Sequence, residues 1–191
     1  MLLHVCCAPC ATYPLEVLEQ NFAVTAYFYD PNIHPRAEYE KRLAEARKYF
    51  RCRRSSGTAP TKLIEAEYDD KRWFELTEGL ENEPEKGKRC EVCYEMRLRQ
   101  TAKYATANGF DYFTAALSVS PHKDASLINQ LGTKLAAEFG VNYLPADWKK
   151  SGGFDRGVAL ARAADLARQD YCGCAYSKAA HDAKKATNAN R

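Results

Sequence analysis

The chain has 191 residues, a net charge of +3, 46% hydrophobic and 28% charged residues, the composition of a globular protein and not of a disordered or membrane-embedded one. That length fits a single domain over residues 1–191 with a core large enough to need no disulfide staples. No apolar run reaches the roughly 18 residues that cross a bilayer, and the start Met1-Leu2-Leu3-His4-Val5-Cys6 lacks a basic leader, so the expectation is a cytoplasmic protein with no membrane partner.

The apolar run Leu2–Cys6 predicts a first strand, with a helix over Ala11–Gln20 after it. A second strand is expected at Phe22–Tyr29 and a helix at Arg36–Phe50, then a strand at Lys62–Glu67 and a helix at Lys71–Glu78. The polar stretch Glu81–Lys88 reads as a loop, and Glu91–Asn108 as the next helix. Asp111–Leu117 predicts a fourth strand, Lys123–Phe139 a helix, Val141–Leu144 a fifth strand and Phe154–Asp170 a further helix. Asn108-Gly109 and Phe139-Gly140 have the form of helix C-caps, and Ser120-Pro121 that of an N-cap with proline at the first helical position. Thr187–Arg191 is expected to fray. This alternation predicts an α/β fold with a Rossmann-like parallel sheet of about five strands and extra C-terminal helices. In such a sheet, ligands bind where loops leave the carboxyl ends of the strands.

Eight cysteines are the informative count, because a reducing cytosol argues against four disulfides and for metal or redox chemistry. Cys6, Cys7 and Cys10 follow the first strand, Cys90 and Cys93 form CxxC, Cys172 and Cys174 form CxC, and Cys52 stands alone. A [4Fe–4S] cluster takes four thiolates, so seven grouped cysteines leave a surplus of three for an extra metal ion or a redox-active dithiol. Cys7-Ala8-Pro9-Cys10 also has the form of a thioredoxin-like dithiol, where a helix N-terminus activates the thiol. A structural zinc held by Cys90, Cys93, Cys172 and Cys174 is a third reading, although their separation exceeds that of a finger or ribbon.

Other features carry weaker signals. Ser151-Gly152-Gly153-Phe154-Asp155-Arg156-Gly157 reads as a flexible loop before a phosphate cradle, because it does not directly follow a strand. His4, inside the first strand, reads as a core histidine. Basic residues gather at Lys41, Arg42, Arg47, Lys48, Arg51, Arg53 and Arg54, again at Lys86, Lys88, Arg89, Arg97 and Arg99, and at Lys178, Lys184 and Lys185. With the aromatics nearby they suggest phosphate tracking and base stacking along an RNA.

Leu3-His4-Val5-Cys6-Cys7-Ala8-Pro9-Cys10, Phe28-Tyr29-Asp30-Pro31-Asn32-Ile33-His34-Pro35, Cys90-Glu91-Val92-Cys93-Tyr94-Glu95-Met96-Arg97-Leu98, Ser118-Val119-Ser120-Pro121 and Tyr171-Cys172-Gly173-Cys174 together resemble one family, the cobalamin-independent epoxyqueuosine reductases called QueH. The resemblance runs from residue 2 to about Ser177. It implies a nucleotide-hydrolase-like (HUP-like) α/β core and reduction of the epoxide of epoxyqueuosine in a tRNA anticodon loop, the last step of queuosine synthesis. It further implies a [4Fe–4S] cluster with an additional iron ion that polarises the epoxide oxygen, fed by a separate electron donor. The metal-binding set it implies is Cys6, Cys7, Cys10, Cys90, Cys93, Cys172 and Cys174, without Cys52. Tyr94 and then His34 are expected as proton donors. Tyr29, Asn32, Tyr39, Arg97, Ser118, Ser120 and Lys123 are expected to contact substrate, with Arg97 and Arg99 on phosphates. Arg51–Pro60 reads as a surface insertion.

Overall fold

Five short strands, β1 (Leu2–Val5), β2 (Thr25–Phe28), β3 (Lys62–Glu65), β4 (Tyr112–Ala115) and β5 (Asn142–Tyr143), form one all-parallel sheet in the order β3-β2-β1-β4-β5. The computed structural model describes residues 1–55 and 61–189. Residues 56–60 of the expected insertion and 190–191 of the expected tail lie outside the described residues. Helices α1 (Ala8–Leu18), α2 (Arg36–Ser55), α3 (Asp70–Thr77), α4 (Lys88–Ala107), α5 (Ala125–Phe139), α6 (Gly153–Ala163) and α7 (Ala175–Ala189) alternate with the strands and close the chain. This is the expected Rossmann-like arrangement, with α6 and α7 as the C-terminal helices.

Side chains of a strand alternate between faces, and β1 shows what that does to the core. Leu3 and Val5 pack with α1, α2 and α6 on one side, while Leu2 packs with α3, α4 and α5 on the other. His4 is fully buried on that second side, as expected of a core histidine, and its Nε2 meets the Tyr29 carbonyl at 3.0 Å. Burial and then the charge of Arg97 push its pKa down to about 3. The ring is therefore neutral, and Nε2–H donates to that carbonyl.

Differences from the predicted boundaries have local causes. Helix α1 begins at Ala8, three residues before the predicted start, because Pro9 sits in its first turn where a fixed φ and a missing N–H cost nothing. Helix α5 is capped by Asp124, whose side chain accepts from the Leu127 N–H at 3.1 Å, so Ser120 is not its N-cap. A 3-10 turn over Ala116–Val119 shortens β4 and holds Ser120 ahead of the helix. Gly109 and Gly140 adopt φ +69 and +67 at the ends of α4 and α5, as the C-cap reading requires. Helix α6 stops at Ala163, short of the predicted Asp170, and Asp165 at φ 52 turns the chain away. That early stop releases Tyr171–Cys174 as a loop.

The glycine-rich segment opens α6 and packs it against α1. Gly157 offers its carbonyl to the Thr12 hydroxyl at 3.3 Å, and a Cβ on Gly153 would stand 2.0 Å from the Trp148 carbonyl oxygen. Gly153→Ala is expected to cost about 1–3 kcal/mol in overpacking, measured by urea unfolding. An unchanged midpoint would mean that α6 is free to shift.

Candidate metal centre

β1 delivers Cys6 and Cys7 at its carboxyl end, and the early start of α1 puts Cys10 in the first helical turn. The sulfurs of Cys6, Cys7 and Cys10 all lie within 4.8 Å of one another, and Cys7 and Cys10 are joined as a disulfide. These three residues line a cavity of about 550 Å³, within the range of pockets that bury a small molecule.

The other four cysteines converge from two elements. Cys90 and Cys93 occupy the first turns of α4, three residues apart and so on one face of the helix, and both are buried. The Cys90 sulfur accepts from the Lys86 N–H at 3.3 Å. Cys172 and Cys174 lie in the loop before α7, where the Cys174 sulfur accepts from the Ser177 N–H at 3.3 Å and that of Cys172 from the Lys123 ammonium at 2.7 Å. Cys52 is exposed on α2 and takes no part.

Two cations link these groups. Arg97, only 2% exposed, donates from Nε to the Cys93 carbonyl at 3.2 Å and from Nη1 to Asp30 Oδ1 at 3.1 Å. Lys123 lies against Cys172, with its ammonium 5.7 Å from the centre of the Tyr94 ring. Burial pushes Cys6 and Cys93 up to about 11, whereas a hydrogen bond from Cys174 and the charge of Lys123 hold Cys172 well below the usual thiol range. Burial opposes the charge of Lys123, but Cys172 and Tyr94 outweigh it and hold its pKa above the usual value. Burial lifts Asp30 to about 6 against the pull of Arg97.

Asp30 Oδ2, Asn32 Oδ1, Arg97 Nη2 and the Tyr94 hydroxyl are buried without a protein partner, and of these residues Arg97 lines the cavity. Leaving such an atom unpaired costs free energy, so Arg97 Nη2 on the cavity wall suits a further group. Soft thiolates in this number suit iron or zinc, so the residues fit a thiolate-held metal once Cys7 and Cys10 are reduced.

The residues expected at the site divide clearly. Cys6, Cys7, Cys10, Cys172, Arg97, Ser120 and Lys123 line the cavity, and Cys90, Cys93 and Cys174 are buried. Tyr94 and His34 are not on its wall. Tyr94 is 1% exposed, with burial lifting its hydroxyl to about 12, and the His34 ring packs 4.6 Å from Phe74 with Nδ1 on the Asn32 carbonyl. Tyr29, Asn32, Tyr39 and Ser118 are buried. Tyr39 packs between Phe28 and Tyr68, and the Ser118 hydroxyl donates to the Ala146 carbonyl, so both serve the core.

Several residues of the expected phosphate-tracking patch have partners within the protein. Arg42 and Arg97 are buried, Arg47 pairs with Glu65 and Arg53 with Glu19, and Arg99 is held by Glu95 and Glu138. Arg89 donates to the carbonyls of Leu80 and Glu81 and covers the Tyr176 ring. Lys178 and Lys185 pair with Asp182 and Asp170. Side-chain positions for Arg54 lie outside the described residues. His122, from the loop before α5, also lines the cavity, and sequence reasoning missed Phe154, Arg168 and His181, which line it from α6, α7 and the loop between them. No helix among the described residues is long and apolar enough to cross a membrane.

Known proteins share this sequence over nearly its whole length. The profile of the family described as epoxyqueuosine reductase QueH matches residues 1–180. The epoxyqueuosine reductase QueH of Staphylococcus epidermidis is 42% identical over 179 residues, covering 93% of this chain and 75% of the relative. Those of Dehalococcoides mccartyi and Thermotoga maritima are 37% and 33% identical over 93% of this chain, covering 92% and 89% of their own lengths.

Proposed function

The chain belongs to the QueH family of epoxyqueuosine reductases, and from that membership we propose that this oxidoreductase converts epoxyqueuosine in tRNA to queuosine, using a [4Fe–4S] cluster and a separate iron held by its own cysteines. The observation that carries this reading is the gathering of three cysteine sulfurs within 4.8 Å on the wall of a 550 Å³ cavity that Arg97 and Lys123 also line.

Taking the oxygen from an epoxide to leave an alkene consumes two electrons and two protons and releases water. A bound cluster supplies electrons singly, and an iron with an open coordination position supplies a Lewis acid. Cys90, Cys93, Cys172 and Cys174 would provide the four thiolates that a cube takes. Cys6, Cys7 and Cys10 would hold the separate iron. With their sulfurs within 4.8 Å of one another, these three cysteines would suit a single ion. Cys7 and Cys10 bind only after their disulfide has taken up two electrons.

Lys123 holds a proton at Nζ on the cavity wall and delivers it to the departing oxygen, a role for which Tyr94 lies too deep. Ser120 and the unpaired Nη2 of Arg97 orient the substrate. The cavity takes one nucleoside while the rest of the RNA stays outside. An anticodon loop is already single-stranded, so presenting the base costs less than extrusion from a duplex. A reducing cytoplasm, where tRNA is found, would keep these thiols free and supports that location.

The disulfide favours a second reading, a dithiol oxidoreductase acting through Cys7 and Cys10 without metal. Anaerobic purification with iron, zinc and sulfide analysis separates the two. Brown protein with iron in excess of acid-labile sulfide, which converts epoxyqueuosine in tRNA, is the expected result. Colourless protein that stays iron-free after anaerobic reconstitution, or holds zinc alone, would sink the proposal.

A further inference from the structure

Arg42 sits in α2 between the exposed basic residues Lys41 and Arg47, yet it is 4% exposed and turned inward. Its Nη2 and Nη1 donate to the carbonyls of Tyr171 and Cys172, each at 3.4 Å, and its Nε to Glu38 at 2.7 Å. The guanidinium also lies 5.5 Å from the centre of the Tyr171 ring. The next carbonyl, that of Gly173, accepts from the His34 N–H at 2.7 Å, while the Tyr171 hydroxyl donates back to the His34 carbonyl at 3.0 Å. Three successive carbonyls of a loop without regular structure are thus held by α2 and the segment leading into it. Gly173 completes the fit. Its φ is +112, and a Cβ there would stand 2.9 Å from Arg42 Nη1.

We propose that Arg42 is a positioning residue that fixes the Cys172-Gly173-Cys174 loop, so that both thiols face the centre together. Planar geometry is the reason for arginine. Its fork reaches two carbonyls and a carboxylate while its face lies on an aromatic ring, and a lysine ammonium cannot satisfy all of these at once. The role in metal loading rests on the reading of Cys172 and Cys174 as ligands; the role in holding the loop does not.

The test uses the full chain carrying Arg42→Met or Arg42→Lys, with Cys52 as an internal control. In reduced, metal-free protein, iodoacetamide should label Cys172 and Cys174 about tenfold faster in Arg42→Met than in wild type, since a loop that opens locally exposes its thiols. Labelling of exposed Cys52 should not change. After anaerobic reconstitution Arg42→Met should hold less iron and show an altered absorption spectrum, with Arg42→Lys between the two. If Arg42→Met does not fold, Arg42→Lys alone decides the matter, with about threefold faster labelling expected. Wild-type labelling rates and iron content in a folded variant would overturn the proposal. So would a variant changed only in RNA affinity, which would make Arg42 a phosphate contact. Faster labelling of the variant beside a wild type that takes up no iron would support the positioning role and remove the metal.

Discussion

Cys10→Ala should lose about one iron per chain and keep its acid-labile sulfide and brown colour, whereas Cys174→Ala should lose iron and sulfide together. The difference follows from the division of the cysteines into a group of three whose sulfurs lie within 4.8 Å of one another and a group of four carried by α4 and the loop before α7. Turnover should fall in both variants by at least about 10³-fold. Removing a Lewis acid forfeits several kcal/mol of charge stabilisation, and each 1.36 kcal/mol is about tenfold in rate. Metal and sulfide analysis beside a single-turnover assay on epoxyqueuosine tRNA reads both quantities. Joint loss of iron and sulfide in Cys10→Ala would place that residue on the cluster and refute the division.

Arg97→Met should destabilise the fold by about 3–5 kcal/mol, because it strands a fully buried carboxylate at Asp30. For a chain of this size that corresponds to a fall of roughly 10 °C in melting temperature. The pH dependence has a definite sign. Burial raises Asp30 to about 6 in the folded chain, above its unfolded value, so its ionisation erodes stability as pH rises through that interval. Without Arg97 the folded value climbs further, and the deficit of the variant should be smaller at pH 5 than at pH 8. Replacing both partners, as in Arg97→Met with Asp30→Leu, should recover much of the loss, since a well-packed apolar pair often equals a buried ion pair. Thermal melts at the two pH values check this. A deficit independent of pH would mean that Asp30 is not the group left stranded.

Lys123→Met tests the proton donor against Tyr94→Phe. A general acid contributes about 10² to 10⁴ in rate, and that loss is expected for Lys123→Met at undiminished iron content, with a far smaller one for Tyr94→Phe. The reverse order would return the role to the tyrosine.

Much of the architecture is written in short-range signals. The strand and helix alternation, the glycines that close α4 and α5, the burial of His4 and the grouping of seven cysteines all depend on a few neighbouring residues, and a short stretch of chain carries each of them. Crossover rules narrow such an alternation to a handful of topologies, and tertiary packing selects the parallel order β3-β2-β1-β4-β5. The cations are different. Arg42, Arg47, Arg97 and Arg99 look alike on a helix in isolation, and read in sequence they form one phosphate-binding surface. Which of them meets water is settled by partners distant in the chain: Arg97 finds Asp30 across 67 positions and Arg42 finds the Cys172 carbonyl across 130. The position of Tyr94 is set in the same way: it adjoins Cys93 in the chain, yet tertiary packing leaves it off the cavity wall. Periodicity and capping act within a turn or two of backbone. The direction a charged side chain takes depends on which helix face packs on the sheet and what waits beneath it, and only the assembled tertiary structure supplies that.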